Sequence, residues 1–203
     1  KKITAVILII VLALSLISCG KQEGFNVSVF YYTFSDTYIA SVRNALDKAF
    51  KTAGISYQNY DSNSNQTTQN EQIDTAISKG TDLLLVNIVT SGSSDASSAI
   101  VEKAKAAGIP VIFFNRTIED DGSEGIVLNS YEHLAYVGTD AEEAGHLQGN
   151  MIGKYVSENY DVLDLNKDGR ISYAMFMGQL GNAEAIYRTR YAVEDADKIL
   201  KSD

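Results

Sequence analysis

Short apolar segments alternate with amphipathic ones from residue 27 onward, and that alternation leaves this chain only a few possible folds. Residues 27–32 read as a strand, and behind it Ile39, Val42, Leu46 and Phe50 recur at helical spacing until Gly54 stops the helix. Residues 55–60 read as the next strand. A polar stretch, 61–70, then leads into a helix that carries Ile73 and Ile77 and ends at Gly80. Residues 83–89 and 109–114 are near-continuous apolar runs, with a helix over 96–107 between them closed by Gly108. Buried strands alternating with helices predict an α/β fold whose parallel sheet is covered on both faces.

The pattern lapses over the polar residues 116–131 and resumes with a strand over 135–137. Asp140, with Glu143 three residues on, reads as a helix N-cap with its reciprocal acid. The helix behind it runs to about Asn159 on Ala144, Leu147, Met151 and Tyr155. A strand is predicted over 171–177 and a last helix from about Asn182. A sheet that restarts with one or two strands cannot bury its faces. The chain is therefore expected to be a fragment, with a first lobe over 26–138 and the truncated start of a second over 139–203. The alternative is one compact domain with a C-terminal helix.

The first residues carry a different signal. Lys1 and Lys2 precede an apolar run over 3–17, interrupted only by Thr4 and Ser15. A basic start and about 15 apolar residues describe a secretory signal, too short for a comfortable membrane span. The run ends Leu16-Ile17-Ser18-Cys19, which resembles a bacterial lipobox whose Cys is acylated and becomes the mature N-terminus. Residues 1–19 are then a lipoprotein signal peptide and 20–25 a tether. This places the protein in the cell envelope, on the outer face of the cytoplasmic membrane or in the periplasm, touching the membrane through its lipid alone. The absence of a starting Met implies a trimmed or incomplete N-terminus. Cys19 is the only cysteine, so no disulfide forms within the chain. A net charge of −9 without a basic cluster argues against nucleic acid as partner. The sequons at Asn26, Asn65 and Asn115 are chance matches beside a lipobox.

One loop has the residue types of an ion site. In Asp164-Leu165-Asn166-Lys167-Asp168-Gly169-Arg170-Ile171-Ser172, oxygen side chains stand at the first, third and fifth positions and Gly at the sixth. That is the front half of a calcium loop, in which Gly169 permits the turn and the Arg170 carbonyl follows. An EF-hand would need a bidentate Glu at the twelfth position, where this chain has Met175. The loop is either a calcium site whose last ligand comes from elsewhere or an Asp/Asn/Gly turn.

Three motifs taken together, Phe113-Phe114-Asn115, Tyr136-Val137-Gly138-Thr139-Asp140 and the loop from Asp164 to Gly169, carry a resemblance, and the polar helix start from Asp61 to Asp74 extends it. The chain resembles the galactose/glucose-binding proteins of bacterial ABC sugar importers, which are type I periplasmic binding proteins, from about Val27 to Leu200. The resemblance implies two Rossmann-like lobes with parallel sheets that close on a sugar, with the hinge at Thr139 and Asp140 and the second lobe incomplete. It also implies sugar ligands at Tyr32, Asp36, Tyr38 and Asn87 in the first lobe and at Asn182, Glu184 and Arg188 in the second. For calcium it implies Asp164, Asn166 and Asp168 by side chain, Arg170 by its carbonyl, and Ser172 weakly or through water. A bidentate Glu is expected from later chain. The family pattern has Phe at Tyr38, His at Asn182, Asp at Glu184 and a longer Gln at Ser172.

The chemistry suits a pyranose, whose hydroxyls pair with Asp, Asn and Arg while aromatic rings cover its C–H faces. Ligands of open α/β sheets sit beyond the carboxyl ends of the strands, where these residues fall. Each residue also has a plainer reading. Asp36 precedes a helix and can cap it. Asn87 within Leu and Val can belong to a buried network. Arg188 can be a solvated charge, and Tyr32 and Tyr38 core or rim aromatics. His133 and His146 lack metal-ligand spacing and read as structural. The leading function is a monomeric, lipid-anchored binder delivering galactose, glucose or a methyl-galactoside to an ABC permease. The alternative is a sugar sensor for a chemoreceptor or kinase. An enzyme finds no support, for the chain has no nucleophile elbow, HExxH or phosphate-binding Gly loop. A related repressor is excluded by the signal run and the missing DNA-binding headpiece.

Overall fold

A computed structural model describes residues 24–119 and 125–202. The signal run, Cys19 and most of the tether lie outside them. Strands β1 (Asn26–Tyr31), β2 (Ser56–Asp61), β3 (Leu83–Val86), β4 (Val111–Asn115) and β5 (Leu134–Gly138) form one parallel sheet in the order β2-β1-β3-β4-β5. Helices α1 (Thr37–Ala53), α2 (Gln66–Ser78) and α3 (Ser94–Ala107) make the crossovers. Each starts where a short polar side chain takes up a free amide. Asp36 accepts from Ile39, Asn65 from Thr68 and Ser93 from Ala96. Gly54 and Gly108 end α1 and α3 in the left-handed conformation, both at φ +68°.

The two faces of the sheet bury different sets of residues. Phe30, Leu84, Val86, Val111 and Phe113 pack against Ile73 and Ala76 of α2 and Ile100, Val101 and Ala104 of α3. Val27, Val29, Tyr31 and Leu85 face the other way, toward Ile39, Leu46 and Phe50 of α1. Each fully buried large apolar side chain contributes about 1.5–3 kcal/mol relative to exposure. This burial holds the strand ends, and the loops on them, in fixed positions.

After β5 the chain crosses through Gly138, Thr139 and Asp140 into α4 (Ala141–Glu158), followed by α5 (Tyr160–Leu163) and α6 (Ala183–Ser202). Asp140 caps α4 as its sequence predicts, accepting from Glu142 at 2.9 Å and Glu143 at 3.1 Å. Two expectations for this region are corrected. The first is the packing face of α4. Leu147, Met151 and Tyr155 are exposed, Met151 by 73 %. The buried stripe is Gly145, Gly149 and Gly153, which lies against Tyr187, Tyr191, Asp195, Ala196 and Ile199 of α6. Glycines four residues apart leave bare backbone along one face, so two parallel helices approach more closely than any side chain would allow. The second is the strand over 171–177, where the chain carries no regular secondary structure. A strand needs a neighbour to take up its backbone groups, and among the described residues none lies beside it.

Candidate functional site

The sheet runs outward from β1 to β2 on one side and from β3 through β4 to β5 on the other, which opens a crevice at the carboxyl ends of β1 and β3. Tyr32 and Asn87 stand on either side of it, and the Tyr32 amide donates to Asn87 Oδ1 at 3.3 Å. The Tyr32 hydroxyl donates to Asp36 Oδ2 at 2.8 Å, while Asp36 Oδ1 accepts from the Ile39 amide at 2.8 Å. One carboxylate thus caps α1 and fixes a phenol. The Ile39 amide foremost, then the Tyr32 hydroxyl, the Tyr38 amide and the Arg116 charge, hold the Asp36 carboxyl below its ordinary range against an opposing pull from desolvation. Desolvation first, and then the bond to Asp36, push the Tyr32 phenol up. At neutral pH the pair is a carboxylate acceptor beside a phenol donor.

Arg116 completes this wall. Asn115 ends β4 at φ +67°, and the Arg116 amide donates back to the Phe114 carbonyl at 2.9 Å, a tight γ-turn that Asn tolerates better than most residues. The turn brings the Arg116 guanidinium 4.1 Å from the centre of the Tyr32 ring. Nη1 donates to the Ile88 and Val89 carbonyls at 3.3 and 2.5 Å, and Nη2 to Gln179 Oε1 at 3.2 Å. Burial to 5 % exposure draws its pKa down, opposed by Glu184, Tyr32 and Asp36. The guanidinium stays charged. Sequence reading missed Arg116, although it follows β4 as Tyr32 follows β1. Applying the strand-end rule to β4 as well would have found it.

Asn87 is fully buried beneath this surface. Its Nδ2 donates to the Phe114 carbonyl at 3.2 Å and to Asn115 Oδ1 at 3.1 Å, so it braces the γ-turn. Gln69, also buried, donates to the Asn87 carbonyl at 3.0 Å and accepts from the Val89 amide at 3.1 Å. The buried network weighed for Asn87 from the sequence is therefore present, and its Oδ1, which accepts from the Tyr32 amide, lies within it.

The residues beyond the crossover divide. Glu184, in the first turn of α6, accepts from Ser91 Oγ and from the Thr117 amide, each at 3.2 Å, and so joins the cluster. Asn182 spends its Oδ1 on the Ala185 amide at 3.0 Å, as the cap of α6. Arg188 lines a hollow of about 340 Å³ with Gln148, Met175, Phe176 and Glu184, the last of which it shares with the cluster. Tyr38 is 61 % exposed on the first turn of α1. Thr139 and Asp140 line another cavity, of about 220 Å³, with Thr117, Glu119, Tyr136 and Tyr187. The structure thus gathers Tyr32, Asp36, Asn87 and Glu184 around Arg116 and leaves Tyr38, Asn182 and Arg188 outside the hydrogen-bonded cluster.

The family model for the periplasmic binding protein domain matches residues 27–202. The chain belongs to this family. It is a family of binding proteins, not of enzymes. The D-galactose/methyl-galactoside binding periplasmic protein of Haemophilus influenzae is 37 % identical over 197 residues, which are 96 % of this chain and 57 % of that protein. The ribose import binding protein of Bacillus subtilis is 27 % identical over 53 % of this chain and 34 % of its own length. The chain therefore spans about half the length, or less, of these curated relatives. Among solved structures, a galactofuranose binding protein superposes with a TM-score of 0.67 at 19 % identity, covering 86 % of this chain and 52 % of that one. A solute binding protein from Bacillus halodurans with bound myo-inositol gives 0.67 at 22 % identity, covering 88 % and 54 %. At such identities these structures speak for the fold, the α/β fold of type I periplasmic binding proteins.

In this periplasmic binding protein domain the Asp164 loop is closed on itself. Asp164 is buried, and its two oxygens accept from the Asp168 amide at 3.2 Å and the Gly169 amide at 2.9 Å. Asp168 Oδ1 accepts from the Arg170 amide at 2.9 Å, and Asn166 Nδ2 donates to Asp168 Oδ2 at 2.9 Å. Lys167 and Gly169 take positive φ, which folds residues 164–170 round these side chains. Asp164, Asn166 and Asp168 offer only oxygen ligands to a cation, a donor set that fits calcium. Ser172 is exposed beyond the turn. Among the described residues no group of three or more His, Cys, Asp or Glu side chains could hold a metal, so two carboxylates and neutral oxygens would have to suffice. His146 bonds Asp195 at 2.5 Å and lies 4.0 Å from the Tyr191 ring, tying α4 to α6.

Proposed function

We propose that this chain captures a monosaccharide (galactose, glucose or a methyl-galactoside) outside the cytoplasmic membrane and presents it to an ABC permease by hinge closure about Thr139 and Asp140. The observation that carries this reading is the polar wall at the switch point. There Tyr32, Asp36 and Arg116 of the part before the crossover meet Glu184 of the part after it. A hydroxyl-rich ring offers both donors and acceptors, which a carboxylate, a phenol and a guanidinium can pair on one edge. Contacts to both parts would favour the closed state over the open one. Identity to a D-galactose/methyl-galactoside binding relative supports the choice of sugar. The lipid on Cys19 would hold the protein at the membrane, and the loop of Asp164, Asn166, Asp168 and Arg170 would hold a structural Ca²⁺ that stiffens the part after the crossover. Titration calorimetry with D-galactose, D-glucose and methyl β-D-galactoside tests the proposal. Saturable one-to-one heat with at least one is expected, and no binding by any of the three overturns it.

A further inference from the structure

Glu184 touches the first lobe through a receiver that is already built. Ser91, buried in the loop after β3, and the Thr117 amide, in the loop after β4, both donate to its carboxylate at 3.2 Å. These two loops are joined to each other, because the Gly92 amide donates to the Thr117 carbonyl at 2.6 Å. Arg116, one residue before Thr117, reaches the other way and donates to Gln179, just ahead of α6. Three hydrogen bonds, two of them to a carboxylate and one from a guanidinium, therefore cross between the lobes with protein groups alone. A carboxylate in the first turn of α6 is also favoured by the free amides of that helix end.

We infer that Glu184 is a positioning residue, an interlobe clasp that populates the closed form before sugar arrives and so raises the affinity of the site. The inference rests on the reading of this chain as a closing two-lobed binder. Chain length at this position matters: a Glu carboxylate reaches Ser91 and Thr117, whereas an Asp at the same backbone position falls short by about 1.5 Å, one C–C bond. Apparent affinity scales with the fraction of protein already competent to bind, so a clasp acts on every sugar alike. A direct ligand would instead discriminate among them.

The test measures the distance between the lobes in the full chain without sugar, by pulsed electron resonance between spin labels at the exposed positions of Lys51 and Lys154, with Cys19 changed to Ser. The short distance should dominate in the parent and lose ground to a longer one in both Glu184→Asp and Ser91→Ala. Affinity for galactose, glucose and methyl β-D-galactoside should fall by one common factor, roughly tenfold for the loss of a bond to a charged group. Coincident distance distributions in the parent and both variants would overturn the clasp. So would a loss of affinity in Glu184→Asp that differs from sugar to sugar while the distances stay put, since that marks a direct ligand. Failure of the parent to bind any sugar would refute the proposed function, while the sugar-free distances still decide on the clasp.

Discussion

Asp36 serves two structures with one carboxylate. Oδ1 caps α1 by accepting from the Ile39 amide, and Oδ2 holds the Tyr32 hydroxyl in the crevice. The two roles separate by substitution. Asp36→Ala should lose about 1 kcal/mol of stability, the ordinary cost of removing a cap, and weaken sugar binding at least tenfold, on the order of one bond to a charged group. Asp36→Ser should restore most of the stability, because Ser also caps, but not the affinity. Urea unfolding and calorimetry on both variants read the difference, and equal affinity in Asp36→Ser and the parent would mean the carboxylate does not touch sugar. The sign of the pH dependence follows from the depressed pKa. Ionised Asp36 stabilises the fold fully above the ordinary Asp range, about 3.9 when unfolded, and that contribution is lost as pH falls through the lower folded value. Asp36→Ser should therefore flatten the acid limb of the stability curve below about pH 4. At this scale the sequence showed Asp36 and Tyr32 through their places after β1. It hid Ser91 and Thr117, because a hydroxyl and a backbone amide acquire a role only when another element arrives beside them.

Elements reveal which sequence patterns carry information and which mislead. Strand–helix alternation and the caps at Asp36, Asn65, Ser93 and Asp140 could be read because each depends on residues a few positions apart. The strand over 171–177 and the apolar face of α4 were misread because both depend on what lies opposite. The large apolar residues Leu147, Met151 and Tyr155 stay exposed, while the packing surface of α4 consists of residues with no side chain. A Cβ at Gly145 would lie 2.7 Å from the Tyr187 carbonyl oxygen, and one at Gly149 would collide with that of Tyr191. Helix propensity alone makes Gly→Ala stabilising by about 1 kcal/mol. Overpacking a tight contact costs about 1–3 kcal/mol. At Gly149 the obstacle is backbone, which cannot rotate away, so the second effect should win. Gly149→Ala should lower the melting temperature of the chain, and a rise would show that α4 and α6 are less closely packed than this.

The whole molecule is a five-stranded sheet with its own core and a pair of packed helices, joined by Gly138, Thr139 and Asp140. Alternation and the Asp140 cap placed this division in the sequence. The contacts that cross it, Glu184 to Ser91 and Thr117 and Arg116 to Gln179, depend on how the two parts are set together and left no periodic trace. Among the described residues neither apolar core cluster includes a residue beyond the crossover, and polar interfaces leave domains free to move and to unfold separately. Calorimetric melting of the full chain should then show two transitions in the absence of ligands. Calcium bound at Asp164, Asn166 and Asp168 touches one part only, so it should raise one transition, and Asp168→Ala should abolish that rise without changing sugar affinity. A sugar held in the crevice between the two parts touches both, so galactose should raise both transitions, by about 2.7 kcal/mol in total at a hundred times its dissociation constant. If calcium and sugar shift the same single transition equally, the crossing contacts are stronger than their chemistry allows here and the two parts form one folding unit.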